Sequence, residues 1–327
     1  MMQRDLPVRD RIMLQVVSFN IGGARNMRPA PHDHEKLAVD AYSTLRQVIT
    51  PSQPTLVALQ ETGIAMFNGH SRNVGRKMAQ LLGADYHDAF APEVTMCDHP
   101  HPNLWDRPAY RNMSGAAEGN AIITNLRQKE WSWGSYPDFD DCGAVDAWAR
   151  HTTISRATLY SSGNRDTQPR NVMVASLNYR GLPFYFLNTH LGLLIGEDRS
   201  DATYERSRAA SQIRQAQVNE ILYVIDELKR ADQYNEMPER PIVLAGDFNA
   251  QPDSPEMEML QRRFRLLRPE NNSSELWTHK SHRILIDHIL LHDPAEQLEV
   301  ISCHIQSKIP FDDLTDHRPT VGIFALA

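Results

Sequence analysis

Apolar residues along this chain gather into short runs of strand length, separated by longer segments with helical spacing. Runs rich in β-branched and aromatic residues predict strands at Met13–Phe19, Thr55–Leu59, Asn120–Thr124, Arg156–Tyr160 and Asn171–Tyr179. Others follow at Leu182–Asn188, Pro241–Ala245, Leu285–Leu291, Glu299–Gln306 and Val321–Leu326. Between them, His34–Val48 is amphipathic and stops before Pro51, and Arg72–Leu82 stops at Gly83. Tyr204–Arg230 is the longest helical pattern, and Ser254–Phe264 opens on Ser-Pro, with proline in its first turn. Strands mixed with helices over the whole length predict an α/β or α+β architecture. No Gly/Ser-rich linker, composition break, repeat or low-complexity tract divides the chain. Residues 1–327 therefore read as a single domain, with the long polar stretches 91–118 and 193–204 as surface insertions.

Composition narrows the class. The chain has 327 residues, 41% hydrophobic and 23% charged, which is ordinary for a globular protein able to bury a core. A formal net charge of −7 supplies no global field toward nucleic acid or an anionic membrane, although a bound divalent cation reverses the field locally. Cys97, Cys142 and Cys303 form no CxxC pair, so a reducing compartment is the default. The start, MMQRDLPVRDRIMLQ, lacks a continuous apolar stretch, and no run approaches the ~18 apolar residues of a membrane span. A soluble, cytoplasmic protein is expected, with secretion left open and no protein partner indicated.

The chemistry lies where apolar runs turn polar. Pro241-Ile-Val-Leu-Ala245 runs into Gly246-Asp247-Phe248-Asn249, and residues two apart on extended backbone point to the same side. Alone, this is an Asx-type turn. The same thing happens, however, at Asn20, at Gln60-Glu61, at Asn188 and His190, around Asp287, and at Asp316-His317. Strand ends that all finish in oxygen or imidazole groups describe one polar pocket. Hard oxygen donors without cysteine suit magnesium, manganese or calcium better than zinc. His32-Asp-His34 and Cys97-Asp-His99-Pro-His101 lack paired zinc spacing and read as loops. Trp105, Arg107, Tyr110 and Arg111 mix aromatic and basic character inside the first insertion.

The ordered set SFN, QET, GNAIIT, NTHL, GDFN, IDHIL and TDHRP, spanning Asn20 to His317, resembles the endonuclease/exonuclease/phosphatase superfamily of metal-dependent phosphoesterases. The resemblance implies a four-layer α/β sandwich, two packed mixed β-sheets flanked by helices, with the site at one edge. It implies Glu61 as the main metal ligand with Asn20 and Asp316 near the same ion, Mg²⁺ first and Mn²⁺ or Ca²⁺ as alternates. It implies Asp247 as handler of the attacking water, Asn249 as a phosphate or metal contact, His190 as a phosphate contact, and His317 oriented by Asp287. Asn120 and Asn188 are candidate substrate contacts, while Gln60, Arg214 and Gln217 are read as supports. The expected activity is phosphate-ester hydrolysis, with nucleic acid the first-choice substrate and a phospholipid or inositol phosphate the second. A non-catalytic binding module on the same scaffold is a separate class.

Overall fold

Two sheets built on one plan organise the residues that the computed structural model describes, namely 12–22, 34–50, 52–67, 70–95, 117–128, 143–146, 148–154, 169–194, 196–198, 201, 203–307 and 315–327. The first half of the chain holds strands β1 (Leu14–Asn20), β2 (Thr55–Phe67), β3 (His70–Asn73), β4 (His87–Thr95), β5 (Ala117–Thr124), β6 (Arg127–Gln128), β7 (Gly143–Asp146) and β8 (Ala149–Thr153). The second holds β9 (Asn171–Tyr179), β10 (Leu182–His190), β11 (Ile242–Asp247), β12 (Arg265–Leu266), β13 (Asp287–His292), β14 (Leu298–Ile305) and β15 (Thr320–Leu326). Helices are α1 (His34–Val48), α2 (Val74–Leu82), α3 (Glu205–Tyr234) and α4 (Pro255–Gln261).

One sheet has the order β14-β15-β1-β2-β5-β4, with β3 also on β2. The other runs β12-β13-β11-β10-β9-β8-β7, with β6 also on β9. In each, one parallel pair lies among antiparallel neighbours: β1 beside β2, and β10 beside β11. Parallel neighbours need a crossover, which α1 supplies in the first sheet and α3 in the second.

Period-two alternation then sorts each strand. Leu14, Val16, Leu56, Ala58, Phe184, Phe186, Val243 and Ala245 meet between the sheets. Val17, Phe19, Val57 and Leu59 face the other way, onto Ala41 and Leu45 of α1 and Met78 of α2. Tyr185, Leu187, Ile242 and Leu244 likewise pack on Ile221, Ile225 and Leu228 of α3 and on Met257 and Leu260 of α4. The result is a four-layer α/β sandwich. Strands buried on both faces read as continuous apolar runs, which is the pattern in the sequence. No helix among the described residues is long and apolar enough to cross a membrane.

Several boundaries move for identifiable reasons. Helix α2 starts at Val74 because Asn73 caps it, its side chain accepting from the Arg76 N–H at 2.9 Å, while His70–Asn73 pairs with β2 instead. The stretch 91–118 is not all insertion: Ala91–Thr95 ends β4 and Ala117–Glu118 begins β5, paired up to Thr95↔Ala117. Pro92 disguised β4, yet β4 is an edge strand with a bulge between Pro92 and Val94, where proline is tolerated. The predicted strand Arg156–Tyr160, the Cys97–His101 cluster, His32 and the Trp105–Arg111 group lie outside the described residues.

His288 shows the outward face of β13. It packs against Phe248 with ring centroids 5.7 Å apart, and its Nε2 donates to the Ala250 carbonyl at 2.9 Å. Burial holds its pKa down to about 4. The unfolded chain, with an ordinary histidine near ~6.5, takes up a proton that the fold refuses, so this residue costs stability as pH falls from ~6.5 to ~4, by roughly 3 kcal/mol in full. Guanidinium denaturation at several pH values should therefore show a shallower acid loss for His288→Gln than for wild type. Equal slopes would exclude the assignment.

Candidate active site

The inward-facing series that builds the inter-sheet core continues past its last apolar member at one end. There it becomes Asn20 on β1, Gln60 on β2, Asn188 and His190 on β10, Asp247 on β11 and Asp287 on β13. Strand pairing sets these groups side by side, with Asn20↔Gln60, His190↔Asp247 and Asp247↔Asp287 in register. Gly246 lets β11 close on β10, since a Cβ there would lie 2.1 Å from the Thr189 carbonyl oxygen.

Glu61 departs from the alternation. It follows the inward Gln60, so a regular strand would turn it toward the helices. The β2–β5 pairing slips between Leu59 and Thr62, and Glu61 adopts φ 49°. Such a bulge re-aims a side chain. The carboxylate reaches the pocket, with Oε1 3.4 Å from Asn20 Nδ2 and 4.0 Å from His190 Nε2. Its side chain keeps 15% exposure, against 2% for Asp247. Asn249, also at positive φ (49°), donates its backbone N–H to Asp247 Oδ1 at 2.8 Å.

Asp247 sits between two groups of residues. On one side, Asn20 Nδ2 donates to its Oδ2 at 2.9 Å and His190 Nε2 lies 3.6 Å away. On the other, His317 Nε2 stands 3.7 Å from the same oxygen. His317 Nδ1 donates to Asp287 Oδ2 at 2.8 Å, and Asp316 approaches its Nε2 at 3.8 Å. The segment is tied down by Thr315, whose hydroxyl donates to the Asn20 carbonyl at 2.9 Å and accepts the His317 N–H at 3.1 Å.

These neighbours set the proton affinities. Burial and the adjacent Asp287 charge push Asp247 above the usual carboxylate range, partly offset by His317, the Asn20 amide and the Asn249 N–H. Burial alone would lower His317. The charges of Asp287, Asp247 and Asp316, with the hydrogen bond from Asp287, outweigh it and raise the imidazole to about 10. For Asp316 burial acts upward, but the His279 hydrogen bond and the His317 and His279 charges hold it well below the usual range. At neutral pH the pocket thus has a protonated imidazole facing a carboxylate with raised proton affinity. Among the described residues, two donor sets have ligand atoms within 4.8 Å of one another: His279, Asp316 and His317, and Asp247, Asp287 and His317. Glu61 is in neither set and stands beside Asn20 and His190.

Both candidate substrate contacts sit deeper than expected. Asn188 is fully buried, donates to the carbonyls of Leu59 and Ala121 at 2.9 Å each, and accepts from Gln60 Nε2 at 2.8 Å. With both amide hydrogens engaged on the opposite sheet, it clasps the sheets together. Asn120, also fully buried, donates to Glu93 Oε1 at 2.9 Å and Asn171 Oδ1 at 3.0 Å, which describes a brace. Arg214 and Gln217 support the loop after β10, with Gln217 accepting the Gly192 N–H at 2.7 Å and Arg214 pairing with Glu197 and Glu256. Glu93, Arg170 and His279 carry no signal in the sequence that marks them as site residues. Arg170 precedes a strand rather than ending one, and His279 lies in a loop with no apolar run to mark it.

Comparison with known proteins bears on the fold and the family. Residues 17–317 match the model of the Endonuclease/Exonuclease/phosphatase family. No curated protein matches the chain by sequence. The catalytic domain of human Nocturnin, solved with bound sulfate, superposes with TM-score 0.60 at 17% identity, covering 97% of this chain and 96% of its own. An endonuclease/exonuclease/phosphatase from Bacteroides vulgatus gives 0.57 at 16% identity, covering 96% and 99%. The Bacteroides thetaiotaomicron mannosyl-6-phosphatase Bt3783 gives 0.53 at 13% identity, covering 96% and 100%. These likenesses are of fold, and the family match extends over nearly the whole chain. This protein belongs to the endonuclease/exonuclease/phosphatase family.

Proposed function

We propose that the protein is a divalent-metal-dependent phosphodiesterase of nuclease type that cleaves its ester by direct attack of water. The observation that carries the reading is the convergence of Asn20, Glu61, His190, Asp247, Asn249, Asp287 and His317 at one end of the inter-sheet core. Asp247, with its raised proton affinity and its orientation set by Asn20 and the Asn249 N–H, takes a proton from the attacking water. His317 holds a proton on Nε2 because Asp287 accepts from Nδ1, and it meets negative charge developing on the phosphoryl group. His190 and the Asn249 amide line the same space and contact the phosphate.

Carboxylate oxygens without a thiolate fit a hard cation, and Glu61 at the pocket mouth, with Asp316, would hold Mg²⁺, or Mn²⁺ or Ca²⁺ in its place. Asn20 would join them by turning its amide, since its Nδ2 faces Glu61 while its Oδ1 accepts the Gly22 N–H. When bound, that cation supplies positive charge against the phosphoryl oxygens.

Nucleic acid is favoured by the rim. Lys280, His282 and Arg283 are exposed in the loop that carries His279. Arg318 stacks 3.3 Å from the centre of the Trp277 ring beside them. Basic and aromatic groups together suit a polyanion with bases. A phosphomonoester, phospholipid or inositol phosphate is the second reading, supported by the fold likeness to a protein named as a mannosyl-6-phosphatase. A hydrolysis screen with Mg²⁺, Mn²⁺ and Ca²⁺ over plasmid DNA, abasic DNA, RNA, sphingomyelin and inositol phosphates decides among these. No turnover of any would favour the binding-module class.

Excess EDTA should abolish hydrolysis, and Glu61→Ala should weaken Mg²⁺ binding measured by calorimetry; full activity in EDTA or unchanged affinity would sink the metal assignment. Asp287→Asn should reduce kcat by on the order of a hundredfold or more with KM nearly intact, because the imidazole loses the carboxylate that keeps it protonated. An unaltered kcat there would remove Asp287 from the mechanism. Asp247→Asn retains size and capping ability, so it should fold and bind metal yet lose around 10²–10⁴ in turnover. Near wild-type turnover would reduce Asp247 to a turn residue.

A further inference from the structure

Arg170 is a buried cation that the mechanism above leaves without a task. Its residue is 5% exposed, and it precedes β9 at the site end of the second sheet. Its Nη1 contacts Glu93 Oε2 of the first sheet at 2.7 Å and His190 Nδ1 at 2.8 Å. Glu93 is fixed in turn, its Oε1 accepting from Asn120 Nδ2 at 2.9 Å and from the Asn171 N–H at 3.2 Å. Buried ion pairs are weak stabilisers, since desolvating both charges offsets most of their attraction. Stability alone therefore gives little reason to bury this one against a site histidine.

The contact with His190 determines the state of the ring. A guanidinium has N–H donors and no acceptor, so the Nδ1 atom it touches must present its lone pair. A neutral imidazole then carries its hydrogen on Nε2. The Asn249 amide nitrogen lies 3.2 Å from that Nε2 and, as a donor, competes for the single lone pair of the ring. The shorter, charge-assisted contact to Arg170 prevails. Nε2–H consequently points into the pocket, where Asp247 Oδ2 stands at 3.6 Å and Glu61 Oε1 at 4.0 Å.

We infer that Arg170 is a positioning residue that locks His190 in the Nε2–H tautomer, making it an obligate hydrogen-bond donor to the bound phosphate and excluding it as the general base. The inference rests on the phosphoesterase reading for the identity of the acceptor, but the tautomer itself does not. It separates the two histidines by role: His317 is charged through its carboxylates, whereas His190 is held neutral in one orientation by a cation behind it. Proton abstraction is left to Asp247.

The test is long-range ¹H–¹⁵N correlation of the His190 ring at neutral pH in the full chain, with and without Mg²⁺, assigned by the signal missing in His190→Gln. The expected pattern is a protonated Nε2 and an unprotonated, hydrogen-bonded Nδ1. A ring protonated on Nδ1, or on both nitrogens, overturns the inference. The double variant Arg170→Gln/Glu93→Gln removes both buried charges together and offers Nδ1 an amide that can turn its oxygen inward. Its ring should shift toward the Nδ1–H form, and kcat should fall by about 10²–10³, the range for losing one positioned donor, with less change in KM. Arg170→Lys, which still only donates, should keep the wild-type tautomer. A double variant that retains the Nε2–H form overturns the inference whatever its kcat, and if it fails to fold the wild-type spectrum decides. The expected tautomer in a protein that hydrolyses no phosphate ester would refute the functional reading and leave the lock standing. Hydrolysis by an Nδ1–H ring would do the reverse.

Discussion

Face-to-face packing of the two sheets is the constraint on which the site depends. Alternate residues of each central strand must meet their counterparts across the interface, and the same alternation carries the series out of the core to the site. Phe184, Phe186, Asn188 and His190 are consecutive members of one such series, as are Val243, Ala245 and Asp247. A slip of one residue in either parallel pair would turn the polar members toward the helices and apolar ones into the pocket. Asn188 guards against such a slip. It bonds the first sheet's backbone at Leu59 and Ala121 from a strand of the second, so the halves of the site are fixed to each other just beneath the chemistry.

Electrostatics build on that geometry. Four carboxylates, from Glu61, Asp247, Asp287 and Asp316, surround a pocket that also holds the cationic imidazole of His317, with Arg170 behind His190. Burial and the neighbouring Asp287 charge raise Asp247, while attraction to Asp287, Asp247 and Asp316 outweighs burial and keeps His317 charged. An excess of negative charge also makes the pocket receptive to a divalent cation, consistent with a family that generally depends on one. The chain's net charge of −7 therefore says little about its substrate, because a divalent cation bound there would reverse the local field.

What could be read from the sequence divides along strand direction. In the parallel pairs the site lies at the carboxyl ends, so Asn20, Glu61, His190 and Asp247 each follow an apolar run and can be recognised there. Strand β9 runs antiparallel to β10, so its site end is its beginning, where Arg170 and Asn171 look like ordinary polar residues before a strand. Glu93 is obscured by Pro92, which makes the end of β4, Ala91–Thr95, read as part of an insertion. Asn120 was noticed for its motif, but its neighbours Glu93 and Asn171 come from 27 and 51 residues away, which local pattern does not reveal. Layers, helices and most strands were legible because each needs only its own periodicity. The support network was not, since it exists only after the two sheets meet.

The left-handed backbone at Glu61 has an evolutionary consequence. A long side chain at φ 49° carries conformational strain of order 1 kcal/mol that glycine would not. Glu61→Gly would relieve it while deleting the carboxylate at the pocket mouth. A population of variants selected only for heat resistance should accordingly drift toward glycine at this position, and its most durable members would be those that had lost the acid.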